Sequence, residues 1–134
     1  MEFIKIDNDI LTTIEDKLTE YDNNFIKYSN ENKISIGIID NGEIVGALDG
    51  QMTTFDIFYI STIFVDEKYR NKGIGTQLVL YAEKECKKFG AKIIRLDSFS
   101  WQGVGFYERL GFSVAGNYKL LGTEYEEYFY YKYI

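Results

Sequence analysis

Apolar positions along this chain recur at two periods, and the switches between them mark out its elements. Glu2–Ile6 alternates and predicts an edge strand. Ile10, Leu11, Ile14 and Leu18 then fall on one helical face behind Asp7, Asn8 and Asp9, all good N-caps, so a helix is expected over roughly Ile10–Glu20. Tyr21–Asn32 is polar and asparagine-rich, with Phe25, Ile26 and Tyr28 as its only anchors, and reads as a short helix or a loop. Lys33–Asp40 and Glu43–Asp49 are β-rich runs joined by Asn41-Gly42. That pair suits a type I′ turn, whose two central residues both need φ > 0, so the runs form a hairpin. Asp56–Val65 follows as a third strand, after a turn over Gln51–Phe55.

From Gly73 to Phe89 the period is helical again. Ile74, Leu78, Ala82, Cys86 and Phe89 line one side, and Glu83, Lys84, Glu85, Lys87 and Lys88 face water. Gly90 ends this helix as a C′ glycine. Lys92–Asp97 is a short strand that, after a helix-length crossover, lies parallel to Asp56–Val65. A helix is expected over Trp101–Leu110, with Ser100 as N-cap and Gly111 as C′. In it Phe106 and Leu110 point to the core and turn Tyr107, about 100° away, outward. Phe112–Lys119 and Tyr125–Ile134 are closing strands. The last carries tyrosines on both faces, a pattern that suits a homodimer interface.

Composition narrows the chemistry. The length of 134 residues, with no proline, repeat or linker, fits one domain spanning residues 1–134. A net charge of −6 argues against a nucleic-acid partner, because that binding is dominated by phosphate neutralisation with Lys and Arg. The complete lack of histidine removes the commonest general base and metal ligand, so no metal site is expected. The single cysteine, Cys86, excludes a disulfide framework and reads as a small buried hydrophobe. With no apolar run of membrane length and no leader-like N-terminus, the expectation is a cytoplasmic protein without a membrane partner.

The candidate chemistry lies between the third strand and the long helix, in Arg70-Asn71-Lys72-Gly73-Ile74-Gly75-Thr76. The first turn of a helix has amides without intrahelical partners and the positive end of the dipole, so a glycine-containing loop leading into it suits a phosphate. Arg70 and Lys72 add cationic donors. A P-loop is excluded because Gly75 is followed by Thr76 with no lysine, and a dinucleotide fingerprint because Leu78 stands where a small residue is needed.

What remains, Arg-x-x-Gly-x-Gly after a strand, resembles the signature of the GCN5-related N-acetyltransferase superfamily. Gly105-Phe106-Tyr107-Glu108-Arg109-Leu110-Gly111-Phe112 resembles a second segment of the same superfamily, in the expected order. The resemblance covers roughly Ile34 to the C-terminus. It implies an α/β (α+β) fold: a mixed, mostly antiparallel sheet of about six to seven strands, splayed between two parallel central strands and flanked by about four helices. It also implies acetyl-coenzyme A as cosubstrate and a small-molecule amine as acceptor, with direct attack on the thioester. The cofactor contacts it implies are Ile63, Phe64 and Val65 on the strand and Arg70, Asn71, Lys72, Gly73, Ile74, Gly75 and Thr76 in the loop and first turn. Tyr107 is the implied proton donor to the departing thiolate.

The chain departs from the family where many members carry a glutamate on the splayed strand; Ser61 stands there. Asp97, Asp56 and solvent are the alternatives for the base, and a non-catalytic acyl-coenzyme A binder is the alternative to an enzyme. Ser100 stands near the place of a family asparagine, and Trp101 and Gln102 are candidates for lining the acceptor pocket.

Overall fold

The computed structural model describes residues 1–134 apart from Tyr28, Ser29 and Val104, so the expected anchor Tyr28 lies outside the described residues. Six strands form one sheet: β1 (Lys33–Asp40), β2 (Glu43–Met52), β3 (Ile57–Val65), β4 (Ile93–Phe99), β5 (Ser113–Lys119) and β6 (Glu126–Tyr133), in the order β1-β2-β3-β4-β6-β5. Only β3 and β4 run parallel; every other pair is antiparallel. The hairpin turn has Asn41 at φ 50° and Gly42 at φ 78°, the two positive values that the Asn-Gly pair supplies.

Three α-helices are present among the described residues: α1 (Asn8–Asp22), α2 (Ile74–Lys88) and α3 (Phe106–Arg109). The α2 helix buries Leu78, Val79, Ala82 and Cys86 against a core that includes Leu48, Phe58, Ile60 and Ile94. Tyr107, Phe112, Leu96 and Tyr130 extend the same core under α3. Burial pushes the Cys86 thiol up to about 11, as expected of an inert core cysteine.

Three expectations fail. Glu2–Ile6 forms no strand; its alternation has no ladder beside it in this chain, and alternation without a partner leaves backbone groups to water. The expected helix after it is present as α1, started by Asp7 accepting from the Ile10 amide at 2.9 Å, although it has no buried residue. The expected Trp101–Leu110 helix is instead a 3₁₀ turn at Ser100–Gln102 followed by α3, because Gly103 at φ 128° and Gly105 at φ 85° break the α path. In the short α3 it is Tyr107, at 7% exposure, that enters the core, while Phe106 and Leu110 are only partly buried.

The tyrosine-rich β6 is an inner strand between β4 and β5. Phenols across the fold donate to carboxylates: Tyr59 to Asp97 (3.2 Å), Tyr69 to Asp40 (2.8 Å), Tyr128 to Glu126 (2.6 Å), Tyr130 to Glu108 (2.8 Å) and Tyr118 to Glu127.

A Cβ at Gly50 would lie 2.6 Å from the Phe58 ring and 2.9 Å from the Tyr59 carbonyl oxygen. The carbonyl belongs to a paired strand and cannot swing away, so Gly50→Ala is expected to lower stability by about 1–3 kcal/mol, an overpacking cost. A urea melt with an unchanged midpoint would show that the β2–β3 register gives way freely.

Candidate active site

The β3 and β4 strands stay paired only over Ile57–Tyr59 and Ile93–Arg95, then part. Beyond Tyr59, β3 keeps β2 on one edge, with Ile63 opposite Leu48, Phe64 opposite Ala47 and Val65 opposite Gly46. Its other edge has no ladder partner within the sheet. That opening starts beside a β-bulge: Asp49 pairs with Thr62 and Gly50 with Ile60, so Ser61 is the extra residue.

At the top of β3 the chain turns through a 3₁₀ segment, Glu67–Tyr69, started by Asp66 accepting from the Lys68 amide at 2.9 Å. Arg70 Nε donates to the Val65 carbonyl at 3.1 Å, so this arginine clamps the loop to the strand that carries it. Asn71 at φ 61° and Gly73 at φ 81° then bend the backbone into α2. Gly73 supplies no side-chain cap, which leaves the first-turn amides of Ile74, Gly75 and Thr76 for an external acceptor. Lys72 lies over the Tyr69 ring at 5.2 Å.

The two glycines do different things. A Cβ on Gly73 would meet nothing within 4 Å, so its need is conformational, the positive φ. A Cβ on Gly75 would lie 3.1 Å from the Phe106 ring, so its need is close packing of α2 on α3. That contact joins the two sequence motifs in space, through the residue that precedes Tyr107.

Tyr107 is ringed by Phe106 (4.9 Å between centroids), Tyr130 (5.2 Å) and Phe112 (5.8 Å). Burial pushes its phenol up to about 12. Among the described residues no buried side-chain oxygen lacks a partner and no acceptor takes the Tyr107 hydroxyl, so that hydroxyl reaches solvent-accessible space.

The candidate bases separate. Asp56 sits at the far end of β3 from the loop, with Lys92 and Lys27 at 3.6 and 3.9 Å, and has a structural role there. Asp97 lies on β4 next to the parting and accepts from Tyr59. A third carboxylate, missed in the sequence, stands beside the bulge: Asp49 accepts from Ser61 Oγ at 3.0 Å and from Ser35. Those two hydroxyls, Ser35 first, hold its carboxyl below the usual carboxylate range. The family glutamate position is therefore empty in sequence, yet an anion from the neighbouring strand occupies its surroundings. Only the cross-strand register, bulge included, could have shown this.

The other acceptor-pocket candidates are partly committed elsewhere. Trp101 stacks on Phe99 (4.6 Å, 6°) and meets Tyr125 edge-on (4.9 Å), but remains 56% exposed. Gln102 Oε1 accepts from the Phe99 amide at 2.9 Å. Ser100 Oγ accepts from the Glu126 amide at 3.0 Å, tying the 3₁₀ turn to β6 instead of capping a helix.

A depressed carboxyl stabilises the fold above its unfolded value near 4, and that contribution is lost as pH falls through the folded value. Ser35→Ala removes the larger cause, so the Asp49 titration followed by carboxylate NMR should move upward toward about 3.9. No movement would mean that Ser35 does not hold the anion.

The sequence profile described as the Acetyltransferase (GNAT) family matches residues 2–112. An acetyltransferase of Agrobacterium fabrum is 30% identical over 107 residues, covering 78% of this chain and 76% of that protein. Blasticidin-S acetyltransferase of Streptomyces morookaense is 28% identical over 79 residues, covering 58% of this chain and 57% of that protein. Among solved structures, an acetyltransferase from Bacillus cereus superposes with a TM-score of 0.89 at 25% identity, covering 100% of this chain and 98% of that one. The parted β3–β4 pair, the uncapped α2 start and the profile match agree, and the chain belongs to the GNAT family of acetyltransferases.

Proposed function

We propose that this enzyme transfers the acetyl group of acetyl-coenzyme A to a primary amine of a small cationic molecule, by direct attack of the amine on the thioester. The observation that carries the reading is the parting of β3 from β4 directly beneath an uncapped helix start. The free edge of β3 at Ile63, Phe64 and Val65 suits the amide-bearing arm of coenzyme A, which would add to it as an extra strand does. The first-turn amides of Gly73, Ile74, Gly75 and Thr76, with Lys72 and Asn71 beside them, suit its diphosphate. Arg70 contributes less directly, because Nε is engaged by Val65, which leaves its other guanidinium donors for an anion. The structural relative from Bacillus anthracis described as a streptothricin acetyltransferase in complex with acetyl coenzyme A shares this fold, with a TM-score of 0.68.

The acceptor class follows from charge. A cation approaching the parting meets Asp49 on the β2 side and Asp97 on the β4 side, on a chain of net charge −6. Blasticidin-S, the acceptor in the name of one relative, is a small molecule, which fits the same class. A carboxyl held below its usual range is a poor base near pH 7 but a durable anion, so Asp49 anchors the ammonium and solvent removes its proton. The amine then attacks the thioester carbonyl, solvent takes the second proton from nitrogen as the carbon–sulfur bond breaks, and coenzyme A leaves as a thiolate that accepts a hydrogen bond from Tyr107. A phenol near 12 facing a thiol near 8.5 makes complete transfer uphill by about 5 kcal/mol. Tyr107 therefore acts chiefly by donating a hydrogen bond to the developing thiolate.

Thiol release from acetyl-coenzyme A with a panel of mono-, di- and polyamines tests the reading. For an amine with a pKa near 10.4, the rate at limiting acceptor should climb steadily from about pH 6 to 9. A plateau with a midpoint near 6 or 7 would reveal a tuned base. Tyr107→Phe should lower kcat roughly 10- to 100-fold with coenzyme A affinity nearly unchanged, the low end for a positioned acid. An unaltered kcat, with chemistry rate-limiting, would make Tyr107 a packing residue.

A further inference from the structure

The N-terminal arm carries an apolar face that nothing in its own chain covers. Ile10, Leu11, Ile14 and Leu18 fall on one side of α1 and are 42–58% exposed, and Phe3, Ile4 and Ile6 ahead of them are more open or comparable. In water a helix of 15 residues owes most of its stability to packing of such a face, so a well-capped but uncovered α1 lacks its partner.

The body of the same chain carries the matching vacancy. Between β1 and the flank of α2 run two adjoining hollows of about 200 and 330 Å³, sharing Ile36 and Tyr81. Ile34, Ile36, Ile38, Leu78 and Phe89 give them an apolar floor and wall, and no residue of α1 lines either. From Gln77 to Phe89 the wall is about 18 Å long, against about 22 Å for α1, at the helical rise. A second match accompanies the first: β1 is an edge strand with one side unpaired, and Glu2–Ile6 is an alternating segment without a ladder.

The arm's pose is not peculiar to this chain. The Bacillus cereus structure superposes over the whole chain at a TM-score of 0.89. The first 32 residues are about a quarter of the sequence, and a score averaged over residues could not reach that value were this quarter placed elsewhere. An arm held away from its own groove in both proteins leaves the groove to another chain.

We infer that α1 of one copy lies in the β1–α2 groove of a second copy, and reciprocally. The exchange is self-complementary and closes on itself, so it yields a two-fold dimer and no filament. The interface is that of the arm, and it goes beyond the acetyl-transfer reading without depending on it.

Sedimentation of the full chain at micromolar concentration should give a dimer. In the variant carrying both Ile14→Cys and Ile36→Cys, a short bismaleimide should join two chains, seen as a doubled mass on a denaturing gel. The native Cys86 is fully buried and does not compete, and each single variant serves as control. Leu11→Glu with Ile14→Glu should weaken dimerisation at least tenfold while leaving coenzyme A binding intact, since α1 is outside the body's core. A monomeric parent, a cross-link confined within one chain, or an undiminished dimer in the glutamate variant would each overturn the inference.

Discussion

The organisation of this protein depends on a single strand having different neighbours along its length. Up to Tyr59, β3 is an inner strand with a ladder on each side; past Tyr59 one side is bare, although the strand still lies in the middle of the sheet. Backbone amides and carbonyls in such a place demand partners, and a bare interior edge is a standing invitation to an extended, hydrogen-bonding ligand. The Ser61 bulge falls at this transition and turns the following residues, so that Ile63 and Val65 pack on the core while Phe64 faces the other side.

The rest of the site is built to hold that opening in shape. The Arg70 clamp fixes the loop to the strand end, and the Phe106 ring fills the space that a side chain on Gly75 would need. Through Gly75 and Phe106 the uncapped start of α2 lies against the helix that carries Tyr107.

Much of this was legible in the residues, and what was not has identifiable causes. Asn41-Gly42 dictated its turn locally, and the strand-loop-helix around Gly73 announced itself by period and glycine placement. The second motif located Tyr107, but not its burial: four-residue α3 is too short for helical spacing to decide which side chain enters the core. Asp49 was invisible because its importance comes from Ser35 and Ser61 on two other strands, and a bulge set that alignment. The N-terminus misled for a different reason. Its alternation and amphipathic period were read correctly as patterns, but a pattern states that a face seeks cover without saying whose.

The phenol–carboxylate pairs have a consequence for how this molecule behaves as a chemical background. Burial, and after it the accepting carboxylate, pushes the Tyr59 and Tyr130 phenols up, the accepting carboxylate does the same to Tyr69, Tyr118 and Tyr128, burial raises Cys86, and there is no histidine. These phenols and this thiol thus stay uncharged through the physiological range. A protein so built has no imidazole, and these phenols and this thiol are not poised to register cellular acidity.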